Sequence, residues 1–275
     1  MRLAFTVLGL VGLAASVSAC TVTTTGPMPP PEDEPTLFPD PPPAATSPDD
    51  TKRQPLANPK PAPAVDEDTF AEVVYVLMQD KKFNLWFCTG TLVAENEVVT
   101  AAHCLDPEQF VSYEVVAPLA PGKPRVSASS PKSFGGDYEI VENPDIGFLT
   151  LDTPIDLPFY ATMTDVVARV EAGEKLSGVA VVRTAEKPEA PLAMSQHLEL
   201  SSTVPLGYEH GFGTPYFSNG GDSGAGLFLV ENGKPTHKLI AVARQPEPDR
   251  DLDHFTRIDA EFLAWYAANA DVNAD

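Results

Sequence analysis

Residues 66–275 predict an all-β domain that ends in one α-helix, set behind a secretory leader and a proline-rich segment. Two observations carry this. From Asp66 onward the chain breaks into short apolar runs divided by Gly, Pro, Asn and Asp, which read as strands. A helical repeat stands out only at the end, where Phe262, Trp265, Tyr266 and Asn269 share one face behind Asp259, a natural cap.

The leader covers residues 1–19. Met1-Arg2 is a short positive start, Leu3 to Ala15 is apolar, and Val17-Ser18-Ala19 precedes Cys20. The run is too short to span a bilayer comfortably. The string VSAC looks like a bacterial lipobox, which would place a lipid on Cys20; the alternative is an ordinary signal cut near Ala19. Residues 20–65 form the next segment. Positions 21–64 hold 14 prolines in 44 residues and one aromatic, too little apolar surface to offset the cost of ordering. Fully extended, that segment would reach roughly 140 Å at about 3.1 Å per residue. It reads as a disordered tether, or as a segment removed by cleavage.

The strand-like runs then follow in order: Val73–Met78, Trp86–Val93, Glu97–Thr100, Phe110–Ala117, Ile146–Leu151, Val179–Arg183, Leu198–Val204, Gly226–Val230 and Leu239–Ala243. Lys and Arg total 18 against 39 acids, and the domain carries most of the net charge of −21. Nucleic acid is therefore not an expected partner. The charge reads chiefly as a solubility feature.

Two strings carry chemistry. VTAAHC (Val99–Cys104) holds His103, and an imidazole is the side chain best suited to act as a general base. GGDSGAG (Gly220–Gly226) holds Ser223, a hydroxyl that needs such a base to act as a nucleophile. Gly221 allows the backbone to aim two N–H groups, its own and that of Ser223, at one developing oxyanion. A third group must orient the imidazole; Asp145 in NPDIGFLTL is preferred over Asp137, Asp152 and Asp156. His197, His210, His237 and His254 have no metal-ligand spacing, so neither a metal nor another cofactor is expected.

The order His103, Asp145, Ser223 and the motifs around them resemble the trypsin/chymotrypsin-like serine proteases over Ala71 to Asn269. The resemblance implies two packed antiparallel β-barrels, with His103 and Asp145 from the first and Ser223 from the second. It likens FTRIDAEFLAWYAANA to the family's C-terminal helix. It supports Asp145 through the apolar run that follows, with Gly147 where the family has alanine. It also implies a Cys88–Cys104 disulfide beside the histidine, the alternative being two separate buried thiols. The short interval from Asp145 to Ser223 implies trimmed loops on the second barrel. Ala225 and Gly226 depart from the usual GDSGGP, but both are small.

Specificity matches less well. Phe217 stands where the family has the base of its primary specificity pocket, and Ala243-Arg244-Gln245-Pro246 stands where substrate is usually flanked by Ser-Trp-Gly. The phenylalanine would shrink that pocket, and Arg244 could attract an acidic side chain. No Ile-Val-Gly-Gly-like activation sequence occurs near Ala64–Asp68, so Asp222, before the nucleophile, is expected to be held without a liberated ammonium. The reading is a monomeric serine endopeptidase acting on protein or peptide, exported to a bacterial cell envelope and lipid-anchored through Cys20. Because Thr21 follows Cys20, the outer membrane is favoured, in a cell that has one. Against it stand a catalytically latent binding or scaffold lipoprotein and a purely structural envelope lipoprotein.

Overall fold

The computed structural model describes Val65 and residues 67–270. The expected leader, Cys20 and all of the proline-rich segment except Val65 lie outside the described residues. Val65 itself packs against the core, so the folded body reaches one residue further upstream than composition suggested.

After a short helix α1 (Glu67–Phe70) come β1 (Val73–Asp80), β2 (Leu85–Ala94), β3 (Glu97–Thr100), β4 (Phe110–Val116), β5 (Arg125–Phe134) and β6 (Ile146–Leu151). These six close into a barrel in the order β1-β2-β3-β6-β5-β4, every neighbouring pair antiparallel. Strand β1 shows why its sequence is apolar throughout rather than alternating. Val74, Val76 and Met78 fill the barrel, while Val73, Tyr75 and Leu77 point into the seam with the second half. Strand β5 was not legible, because most of its residues are polar and partly exposed and a bulge near Ser130 interrupts its pairing.

The second half runs β7 (Thr162–Met163), α2 (Val167–Glu171), β8 (Ser177–Arg183), β9 (Leu192–Met194), β10 (Leu198–Glu199), β11 (Ser201–Ser202), β12 (Gly211–Pro215), β13 (Gly226–Glu231), β14 (Lys234–Glu247) and β15 (Leu252–Arg257). They make one nine-stranded sheet whose main path is β10-β8-β13-β14-β15-β12-β11. The two ends of that path, β10 and β11, are separated in the chain by Leu200 alone, so the sheet curls back on itself. The second unit is thus barrel-like, joined at its edges by the chain rather than by a ladder of hydrogen bonds. The expected strand Leu198–Val204 is two strands and a 3-10 turn.

The C-terminal helix α3 spans Ala260–Asn269, and Phe255–Arg257 belong to β15 instead of to the helix. Asp259 caps it, accepting the Phe262 N–H at 2.9 Å. Phe262, Trp265 and Tyr266 pack on Phe134 and Phe148 of the first barrel, so the helix bridges both halves.

Cys88 on β2 and Cys104, beside His103, form a disulfide across 16 residues. Closing such a loop is worth about 3 kcal/mol on the chain-entropy model. Reduction is expected to lower Tm by roughly 6 to 12 °C, measurable by calorimetry with and without a phosphine reductant. An unchanged Tm would mean that the packing alone holds this turn.

Candidate active site

His103 lies in a 3-10 turn after β3 (Ala102–Leu105), and Asp145 directly precedes β6. Ser223 lies in the turn that leads into β13. The three line one cavity of about 450 Å³ in the seam between the halves. Asp145 is 2% exposed and holds His103 twice. Its Oδ1 accepts the His103 backbone N–H at 2.9 Å, and its Oδ2 lies 2.7 Å from Nδ1. A carboxylate acceptor at that distance assigns the imidazole proton to Nδ1 and leaves Nε2 as the basic atom. Thr256 of β15 accepts the Asp145 N–H, tying the carboxylate to the second sheet. The rival Asp137 accepts the nearby Glu139 N–H, and Asp152 accepts the Ser129 hydroxyl from the neighbouring strand β5, so neither serves His103. His103 also lies near both cysteine sulfurs, but these are joined to each other and offer no thiolate to a metal.

The turn around Ser223 is built by close approach. Gly221 has φ 89°, and a Cβ there would lie 2.4 Å from the Phe87 ring. Gly224 has φ 78°, and a Cβ would lie 2.0 Å from Thr100 Oγ1. Only glycine satisfies both backbone and space. The Ala225 N–H donates to the Asp222 carbonyl at 2.8 Å, fixing the peptide plane that carries the Ser223 N–H. From the first barrel, Thr89 grips the same turn: its N–H donates to the Ser223 carbonyl at 2.8 Å and its hydroxyl to the Gly221 carbonyl at 3.2 Å.

Asp222 is 1% exposed and accepts the N–H groups of Arg183 (3.0 Å) and Asn219 (2.9 Å). Burial pushes its carboxyl up to about 6, against the pull of those two bonds and of the Arg183 charge. Arg183 is itself 2% exposed, and burial lowers its guanidinium to about 10. It stacks 4.5 Å from the Phe87 ring centroid and donates to Thr89 Oγ1 at 3.3 Å. Of Arg183, only the backbone N–H touches the Asp222 carboxylate, while its guanidinium charge favours the ionised carboxylate without a direct ion pair.

Because the folded pKa of Asp222 exceeds its unfolded value near 3.9, the protonated carboxyl favours folding. That contribution is full below pH 4 and is lost as pH rises through about 6. Relative to Asp222→Asn, the wild type is expected to lose stability over this window, by on the order of 3 kcal/mol. Urea midpoints taken between pH 4 and 8 test this, and a pH-independent difference would refute it.

Phe217 and Arg244, the two side chains expected to act in substrate recognition, are placed as follows. The Phe217 ring stacks near Phe255 at 6.2 Å and lines a separate cavity of about 530 Å³ with Met194, Leu198 and Tyr216, not the one that holds the triad. Its backbone N–H and that of Ser218 are held by the buried Asp253, at 2.7 and 2.9 Å. Arg244 does line the triad cavity, but its guanidinium donates to the carbonyls of Tyr138, Ile140, Val141 and Asn143. It fastens the loop over the cleft and is spent on backbone, leaving little to attract an acidic substrate.

Sequence reasoning missed Thr89, Arg183 and Asp253. Arg183 left a visible signal, a lone charge ending the apolar strand SGVAVVR. Thr89 and Asp253 left none, since their partners lie far along the chain.

Residues 71–187 match the family model described as trypsin, a span that includes His103 and Asp145 but ends before Ser223. Among solved structures, HL collagenase shares 14% identity at TM-score 0.61, covering 76% of this chain and 96% of its own. The thermostable serine protease AL20 from an extremophilic microorganism shares 15% at 0.60, covering 75% and 100%. Protease Anisep from Arthrobacter nicotinovorans shares 14% at 0.57, covering 72% and 95%. A comparison with curated proteins finds no match. These structures share this chain's fold, and the trypsin model matches the part of the chain that holds His103 and Asp145.

Proposed function

We propose that the chain is a serine endopeptidase in which Ser223 is the nucleophile, His103 the general base and Asp145 the group that orients it. The observation that carries the reading is the doubly held His103–Asp145 pair sharing one cavity with Ser223. His103 Nε2 takes the Ser223 proton as Oγ bonds to the scissile carbonyl carbon, whose oxygen becomes an anion facing the Gly221 and Ser223 amides. Collapse expels the amine, which receives that proton from His103 and leaves an acyl ester on Ser223. Water, deprotonated by the same imidazole, resolves the ester. The charge of Arg183 beside Asp222 supports an oxyanion turn that needs no liberated N-terminus. A new terminus between residues 58 and 72 in active material would count against that part of the reading.

The leader pattern and the cysteine after it support export and lipid anchoring through Cys20 in a bacterial cell envelope, with a monomer acting on protein or peptide. Mass spectrometry of the mature protein tests the anchor: an acylated N-terminal Cys20 is expected, and a free terminus at Cys20 or Thr21 would remove it.

The direct test of chemistry is a fluorophosphonate, which modifies an activated serine. Intact mass is expected to show one adduct on the wild type and none on Ser223→Ala. Absence of an adduct on folded wild type would favour the latent, binding-protein alternative.

A further inference from the structure

The β1–β2 hairpin presents an exposed aromatic and cationic tip. Asp80 organises it, its carboxylate accepting the Lys82 and Asn84 N–H groups at 2.8 and 2.9 Å, the Asn84 amide at 2.8 Å and the Trp86 indole N–H at 3.2 Å. The Phe83 N–H donates to the Asp80 carbonyl at 3.0 Å, closing a turn through Lys81 and Lys82. Phe83 follows with φ 66°, in the left-handed position that such a three-residue loop normally gives to glycine. Five non-glycine residues among those described have positive φ, and Phe83 is the only aromatic one. A bulky ring is strained there, yet it is 78% exposed and gains no packing in return.

The surroundings point to what the ring meets. Trp86 on the same hairpin is 47% exposed. Val111, 54% exposed, sits at the bulge where β4 pairs with Asp80. Lys81 and Lys82 are both exposed at the apex. Aromatic rings flanked by lysines fit the boundary between acyl chains and headgroups, where rings are buried and ammonium groups meet lipid phosphate. At the apex Lys81 and Lys82 outnumber the Asp80 carboxylate, so the tip is locally cationic and complementary to an anionic surface although the chain carries −21 overall. Acids more than about 8 Å from the tip oppose approach only weakly.

We infer that the Lys81-Lys82-Phe83 tip, with Trp86, inserts into the interface of an anionic lipid bilayer. This docking is separate from any lipid on Cys20 and does not depend on catalysis. Since Phe87 of the same hairpin touches Gly221, docking would hold the candidate cleft near the membrane surface.

The test uses the chain from residue 20 onward carrying Cys20→Ser, mixed with vesicles of phosphatidylglycerol and phosphatidylcholine or of phosphatidylcholine alone. Binding to the anionic vesicles is expected, weakened by salt, with a blue shift in tryptophan emission that Trp86→Phe abolishes. Phe83→Gly relieves the strained position, so its Tm should equal or exceed that of the wild type, while vesicle affinity falls about tenfold. Lys81→Gln with Lys82→Gln should remove the preference for anionic vesicles. Absence of binding to anionic vesicles would overturn the proposal, as would Phe83→Gly binding like the wild type. If Phe83→Gly instead lowered kcat/KM on a protein substrate while vesicles bound neither form, the tip would be a substrate contact and the proposal would fail.

Discussion

Asp145→Asn is expected to lower kcat by about ten-thousandfold in a protein that still folds, the magnitude general to Ser-His-Asp triads. The buried carboxylate uses both oxygens on one residue, accepting the His103 backbone N–H and facing Nδ1. An asparagine has one acceptor and one donor. If its oxygen keeps the backbone bond, its NH₂ meets Nδ1, and the imidazole must move its proton to Nε2, the atom required as a base. Raising the pH should not restore the rate, because the fault is tautomeric and not a missing ionisation. Single-turnover rates against an ester and circular dichroism in parallel would test this. A folded variant within tenfold of the wild type would mean that Asp145 does not serve His103 in this way.

Arg183→Met should damage both stability and rate. The substitution keeps the hydrophobic stem beside Phe87 but leaves Asp222 buried without its balancing charge. Because the guanidinium acts on Asp222 without a direct ion pair, losing it is expected to cost less than breaking a buried ion pair, up to about 3 kcal/mol. It also frees Thr89 Oγ1, which receives the Arg183 bond and passes its own hydroxyl to the Gly221 carbonyl. Loss of an ordered oxyanion turn is worth about a hundredfold or more in kcat. The double variant Arg183→Met with Asp222→Asn should regain most of the stability, since no unpaired charge remains, while kcat stays low. Denaturant titrations and kcat on the three variants decide it. A fully active Arg183→Met, or a double variant no more stable than the single, would refute the role.

Both predictions depend on contacts between residues that are far apart in the chain, which is where the sequence was least informative. Local chemistry was legible. The strings around His103 and Ser223 are short and their geometry is local: a 3-10 turn for one, a glycine turn for the other. Most strands were visible for the same reason, since an apolar run such as Val73–Met78 is buried on both faces wherever it pairs. Strands β5 and β15 were hidden because a ladder requires partners, not apolar side chains; β15 even buries Asp253 and His254.

Side-chain direction in the specificity region was not legible for a related reason. Counting back from Ser223 identifies Phe217, but its backbone is held by Asp253 and its ring lies beside Phe255, both on another strand. Arg244 reads in the sequence as a cation that could attract an acidic side chain, but its guanidinium donates to four backbone carbonyls. The sequence by itself determined which reactive groups exist and the turns that hold them, because those depend on residues within a few positions. Only the tertiary structure decided how charge is balanced behind the candidate oxyanion turn and which side chains face the cleft. Burial and pairing between Thr89, Arg183 and Asp222 arise when two halves of the chain meet, and no local pattern records that meeting.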